Sequence, residues 1–106
     1  RVYLGVSLMS LSEVPTMYLE RLNIPVEEGV IITSVESGSA ADDAGLAVQD
    51  VIVKIDDQSV ADSTELRKYL YSNLEVGDQV TIEFYRNGEL KTATVTLDSN
   101  TAVTTN

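Results

Sequence analysis

Any chemistry this chain performs must start from carboxylates, hydroxyls or lysines. It contains no histidine and no cysteine, which excludes a Ser-His-Asp or Cys-His apparatus within these residues, histidine or thiolate ligation of a metal, and disulfides. The aspartate pairs Asp42-Asp43 and Asp56-Asp57 could divide acid and base roles if their surroundings split their pKa values. Both have simpler explanations: Asp42 stands three residues after Ser39, the spacing of a helix cap, and Asp56-Asp57 follows a strand where a turn is needed. Calcium would need a D-x-D-x-D-G loop with a downstream glutamate, and none is present. Ser7 and Ser39 lie in no G-x-S-x-G setting, and Lys54 stands alone in a strand. No catalytic residue, metal site or cofactor is expected.

The stretch with binding chemistry is Tyr3-Leu4-Gly5-Val6, running on into Ser7-Leu8-Met9. A glycine bracketed by apolar residues can leave successive backbone N–H groups aimed at one spot, and a strand follows directly. A peptide carboxylate could be held there as in a nest, while the rest of that peptide adds to the strand edge through main-chain hydrogen bonds. Leu4, Val6 and Leu8 would line one wall of the groove. Leu70, with Leu66 beneath it and Arg67 at the rim, would supply the other. The same five aliphatic residues would serve equally as ordinary core, since apolar periodicity does not separate a core face from a pocket wall.

At 106 residues and 43% hydrophobic content, without a run of 18 apolar residues, the chain suits one globular domain with a modest core. Its net charge of −10 is dispersed along the chain. An acidic surface repels phosphate backbones and anionic lipid, so neither nucleic acid nor direct membrane contact is expected. The chain opens inside a strand-like segment without methionine, so it is expected to be a piece of a longer protein.

The elements that must position the groove follow in order. Residues 3–9 alternate as a strand, with Leu4, Val6 and Leu8 on one face. Met17-Tyr18-Leu19 and Leu22 fit a short helix between Pro15 and Pro25, expected beside the first strand as a cap or lid. The run from Gly29 to Val35 is β-branched and almost continuously apolar, which predicts a central strand covered on both faces. A capped helix from Ala40 to Ala44 stops at Gly45, and Val51 to Ile55 is the next strand, continued briefly at Ser59-Val60. Asp62 and Glu65 cap the longest helix, residues 63–73, whose Leu66, Tyr69, Leu70 and Leu74 form an apolar stripe. Asn87-Gly88 joins residues 79–86 to 89–97 as a two-residue hairpin, with Val80 opposite Val95 and Ile82 opposite Ala93. Residues 98–106 lack any pattern and read as a mobile tail beyond a domain of residues 1–97.

Taken together, Tyr3-Leu4-Gly5-Val6, Gly29-Val30-Ile31-Ile32 with Val35, Gly38-Ser39-Ala40-Ala41, Ala44-Gly45-Leu46 and Asp50-Val51-Ile52 resemble a PDZ domain in order and spacing across nearly the whole chain. The resemblance implies a mainly β, α+β fold: a partly open barrel or sandwich of five to six strands capped by two or three helices. Tyr3 to Val6 then resembles the carboxylate-binding loop, Val6 to Met9 the peptide-pairing strand, and residues 63–73, with Leu66, Arg67 and Leu70, the groove helix. Opening on that loop, and ending on the strand that eukaryotic PDZ domains place first, is the permuted order of bacterial protease PDZ domains. The helical insert with Leu22-Asn23-Ile24-Pro25 resembles HtrA (DegP/DegS-like) serine proteases, especially membrane-anchored ones of Gram-positive bacteria.

For function the resemblance implies capture of apolar C-terminal tails of substrates or misfolded proteins, feeding or regulating an attached trypsin-like protease domain. The parent would be homo-oligomeric and extracytoplasmic in the cell envelope. The alternative is an interaction domain that organises the parent oligomer or gates its active site. Gln49 departs from the family, which often has glycine before the aspartate, and the groove is expected to be unaffected. The helix also lacks the histidine of some eukaryotic classes, so selection should rest mainly on the terminal apolar residue.

Overall fold

The computed structural model describes residues 2–99. Its main sheet has the antiparallel order β2-β3-β4-β6-β7, formed by Val6–Ser10, Val30–Val35, Val51–Ile55, Gln79–Arg86 and Glu89–Thr96, with β5 (Gln58–Ser59) added to β4. The ends of this six-stranded sheet do not pair, so it stays open. A separate two-stranded ladder joins β1 (Val2–Tyr3) to β8 (Asp98–Ser99). Asp98 and Ser99, expected in the tail, are therefore paired with the first strand, and residues 100–106 lie outside the described residues. The hairpin keeps the register written from Asn87-Gly88: Val80 faces Val95 and Ile82 faces Ala93.

The run Val30-Ile31-Ile32 is apolar on consecutive residues because both faces of β3 are covered. Val30 and Ile32 enter the main core with Leu4, Leu66, Leu70, Ile82 and Phe84, whereas Ile31 turns to a second cluster with Leu11 and Val51. The helix α1 (Thr16–Arg21) packs Leu19 and its following Leu22 onto that second cluster. It therefore covers the sheet face opposite the long helix and is not a lid beside the first strand. The physical reason is the two-residue period of β3: Ile31 must find an apolar cover that the main core cannot supply.

Two further helices lie on the main-core side, α2 (Ala40–Asp43) and α3 (Ser63–Asn73). Ser39 Oγ accepts from Asp42 N at 3.2 Å, and the Asp42 carboxylate accepts from Gly38 N at 2.8 Å, the cap foreseen in the sequence. Asp62 Oδ1 likewise accepts from Glu65 N at 2.9 Å at the start of α3.

Two polar ties fix the outer parts of the fold. Asp50, almost wholly buried, receives Arg86 in a fork, Nε to Oδ1 at 2.8 Å and Nη2 to Oδ2 at 2.7 Å, and also accepts from Ala47 N at 2.8 Å. The α2–β4 connection is thereby clamped to the end of β6. Asp56 accepts from Tyr69 Oη at 2.9 Å and from Thr81 N at 3.0 Å, linking the middle of α3 to the turn after β4 and to β6. One member of each aspartate pair weighed for acid–base roles, Asp42 and Asp56, is thus occupied in holding the backbone or a neighbouring side chain.

Gln49, the departure from the family's glycine, occupies a left-handed turn position. Gln49 has φ +78°, the left-handed conformation a glycine would adopt, while its N–H donates to Ile32 O at 2.8 Å. Replacing Gln49 with glycine removes the steric cost of this conformation, and Gln49→Gly is expected to stabilise the fold by about 0.5–1 kcal/mol in urea unfolding, net of glycine's greater unfolded-state freedom. A loss of stability would contradict the strain.

The phenol of Tyr69 is held above its ordinary pKa near 10, first by its hydrogen bond to Asp56, then by partial burial and the charges of Asp56 and Asp57. The folded state thus keeps the proton that the unfolded state has already released, so this contribution is complete below pH 10 and is lost as pH rises through the folded value. Tyr69→Phe is expected to lose about 1 kcal/mol at neutral pH. Its stability should also fall less than wild type's between neutral and strongly alkaline pH, read by denaturant melts across that range.

Candidate functional site

The site begins with a tight connection, Leu4-Gly5, between β1 and β2. Gly5 takes φ +83° and lies against Ser39, so that a Cβ built on it would overlap Ser39 Cβ and stand 2.7 Å from Ser39 Oγ. Only glycine allows this approach. Close packing turns the loop's carbonyls inward: Leu4 O accepts from Ala41 N at 3.0 Å and Gly5 O accepts from Glu36 N at 2.8 Å. The Tyr3 hydroxyl donates to the Glu36 carboxylate, adding a side-chain tie at the same place.

The consequence for the N–H groups follows from peptide geometry. All peptide bonds are trans among the described residues, and a trans unit directs its C=O and N–H oppositely. With the Leu4 and Gly5 carbonyls bound to the body, the N–H groups of Gly5 and Val6 face the other way, outward over the start of β2. Among the described residues that strand pairs only with β3, which leaves its second edge open.

Helix α3 stands over the open edge. Its N-terminus is fixed by Ser10, the last residue of β2, whose Oγ accepts from Ser63 N at 2.9 Å and donates to Ser63 Oγ at 3.2 Å. Its other end is held by Leu66 and Leu70 in the core and by the Tyr69–Asp56 bond. Between the two elements is a groove of about 370 Å³, lined by residues 2–8 together with Arg67, Leu70 and Tyr71.

The structure brings most of the sequence-derived candidates together. Tyr3, Leu4, Gly5, Val6, Ser7 and Leu8 line the groove along one side, and Arg67 and Leu70 along the other. Leu66 does not reach it: its side chain is fully buried in the main core, one helical position behind Arg67. Met9 is also outside the lining, being half-exposed opposite Ile31 in the ladder. Tyr71 was missed by sequence reasoning that followed the apolar stripe of α3. Its signal was the spacing of 67, 70 and 71, which share a helix face at i, i+3 and i+4.

Two larger cavities have other character. One of about 510 Å³ is walled by Arg21, Asn23, Gln49, Arg86 and Asn87, with the Arg86 guanidinium already engaged by Asp50. Another of about 530 Å³ is rimmed by Glu27, Glu28 and Glu65 over Val26, Val53 and Val60. Neither sets outward-facing amides at the start of an open strand edge, the arrangement that can hold an extended chain end by its carboxylate and backbone together.

A groove between an open strand edge and a helix, closed at one end by a glycine loop, is the arrangement that defines PDZ domains. The PDZ domain family matches residues 2–97, and this chain belongs to it. Within that class its similarity runs to HtrA-type serine proteases. The chain is 37% identical over 105 residues to the serine protease Do-like HtrB of Bacillus subtilis, a Gram-positive bacterium, covering 95% of this chain but 23% of that protein. Among solved structures, the HtrA-type protease AlgW with a decapeptide superposes with a TM-score of 0.79 at 24% identity, over 92% of this chain and 29% of AlgW. The HtrA3 PDZ domain bound to the phage-derived ligand FGRWV superposes with a TM-score of 0.74 at 18% identity, over 92% of this chain and 86% of the other. Both share this fold.

Gly5 is the residue whose replacement should disturb the site most. Gly5→Ala adds the strain of a left-handed alanine to the overlap with Ser39, and is expected to cost roughly 2–4 kcal/mol of stability in urea unfolding. A loss under about 0.5 kcal/mol, the range of an ordinary surface substitution, would mean that the loop relaxes without effort.

Proposed function

We propose that this chain is a peptide-capture module that holds C-terminal tails ending in an apolar residue. The observation that carries the reading is the inward commitment of the Leu4 and Gly5 carbonyls, which leaves amides facing out at the start of the unpaired β2 edge. The Gly5 and Val6 N–H groups receive the terminal carboxylate, with Leu4 N–H as the third donor of the loop. Each charge-assisted bond contributes about 1.5–3 kcal/mol before ordering costs. The tail continues along Val6, Ser7, Leu8 and Met9 as an added antiparallel strand.

The terminal side chain enters the groove between Leu4, Val6, Leu8 and Leu70, where burial contributes roughly 1.5–3 kcal/mol more. Translational and conformational losses take back much of this, leaving an affinity of about micromolar or weaker. The reading is supported by the HtrA3 PDZ domain, bound to a ligand that ends in valine, and by AlgW, solved with a decapeptide.

The chain spans 23% of the length of its Bacillus relative, and the whole-protein reading is a further proposal. In it, residues 1–97 form the peptide-binding domain of a trypsin-like serine endopeptidase. That parent is homo-oligomeric, anchored in a bacterial membrane with this domain on the extracytoplasmic side, and captured tails feed or activate the protease in protein quality control.

The deciding measurement for this domain is an NMR titration of the labelled chain with a short peptide ending in valine, beside the same peptide amidated at its C-terminus. Saturable shifts at residues 4–9 and along α3 that vanish on amidation are expected. Absence of shifts at millimolar peptide would overturn carboxylate capture and favour an oligomer-organising role.

A further inference from the structure

Among the described residues, the groove lining contains one charged side chain, Arg67, and no aspartate or glutamate. Most other described cations already have a partner: Lys54 pairs with Glu83 at 3.8 Å, Arg86 with Asp50 at 2.7 Å, Lys91 with Glu89 at 3.7 Å, and Arg21 lies over the Tyr18 ring. Arg67 makes no hydrogen bond, ion pair or ring contact among the described residues. Lys68, also without an ion pair, turns to a different cavity beside Gln58 and Tyr69. In a chain of net charge −10, an uncompensated guanidinium is thus placed against the groove.

Its level along the groove follows from the Ser10–Ser63 contact, which puts the end of β2 beside the start of α3. Because Leu70 and Tyr71 line the groove with residues 4–8, the helix runs back along the strand from that contact. Arg67 is four residues on from Ser63, about 6 Å along the helix axis. Leu8 is two residues back from Ser10, about 6.6 Å along the strand, which brings it level with Arg67. A tail paired antiparallel to β2 with its last residue beside Val6 sets the residue two positions earlier beside Leu8. The two-residue period of a strand turns that side chain toward α3, on the same face as the terminal one.

We propose that Arg67 makes the groove selective for tails carrying aspartate or glutamate two residues before an apolar C-terminus. The inference rests on the peptide-capture reading above and goes beyond it by adding a second, charged recognition point. Arg67 is exposed, so the pair it forms with a ligand carboxylate is solvent-screened and its effect is selectivity more than raw affinity.

The test uses this chain with three acetylated hexapeptides, Tyr-Ala-Ala-X-Ala-Val, in which X is glutamate, alanine or lysine, each also in amidated form, by isothermal titration calorimetry. The glutamate peptide is expected to bind about three- to five-fold more tightly than the alanine peptide, and the lysine peptide more weakly by a similar factor. This spread should shrink at high salt. Arg67→Gln should bring the three together, and Arg67→Glu should reverse their order. Equal affinities in the wild type, or a glutamate preference that survives Arg67→Gln, overturns the proposal while leaving capture intact. An equal loss for all three peptides in Arg67→Gln overturns it as well, assigning Arg67 to the terminal carboxylate instead. Failure of every peptide to bind, or binding indifferent to amidation, sinks the capture reading and this proposal with it.

Discussion

A peptide unit cannot turn its carbonyl and its amide to the same side, and the site is built on that constraint. Ala41 N and Glu36 N take the carbonyls of Leu4 and Gly5, and the price of that inward turn is a backbone conformation and a closeness to Ser39 that glycine alone tolerates. The outward-facing amides come from the same packing. Helix α2 and the end of β3 therefore act on the groove without lining it, since they supply the two donors that hold the loop.

The second wall depends on where α3 is pinned. Ser10 satisfies the Ser63 amide at one end, Asp56 receives Tyr69 further along, and Leu66 and Leu70 anchor the helix in the main core. These ties set the width of the groove before any ligand arrives, which reduces the ordering cost of binding. The sheet that carries both walls is stiffened from behind by the Leu11–Ile31–Val51 cluster, to which the helical insert contributes Leu19 and Leu22. The insert thus supports the site from the far face.

Charge is distributed to a similar end. The shortest ion pair among the described residues, Asp50 with Arg86 at 2.7 Å, clamps connections that do not line the groove. Negative side chains near the site are occupied as well, Glu36 by the Tyr3 hydroxyl and Asp42 by Gly38 N. Among the described residues the groove thereby has no acidic lining in an acidic protein, a condition for holding a chain end that carries negative charge.

Much of this was legible in the sequence because it depends on local chemistry. Asn87-Gly88 set the hairpin register, Ser39 and Asp62 marked two helix starts, and the spacing of the glycine loop before an alternating strand pointed to the site. What the sequence left open was contact across long separations. Whether Leu66 or Tyr71 lines the groove depends on how α3 is rotated, and that rotation is set by Ser10, Asp56 and the core, 53 and 13 residues away from their partners in the chain. The side of the sheet taken by α1 depends on which face of β3 remains uncovered after the main core forms. The pairing of Asp98 and Ser99 with Val2 and Tyr3 joins opposite ends of the domain, which no short window contains. Residue type and spacing determined the elements and the kind of site, while tertiary packing decided which side chains face it, because facing is a property of two elements together.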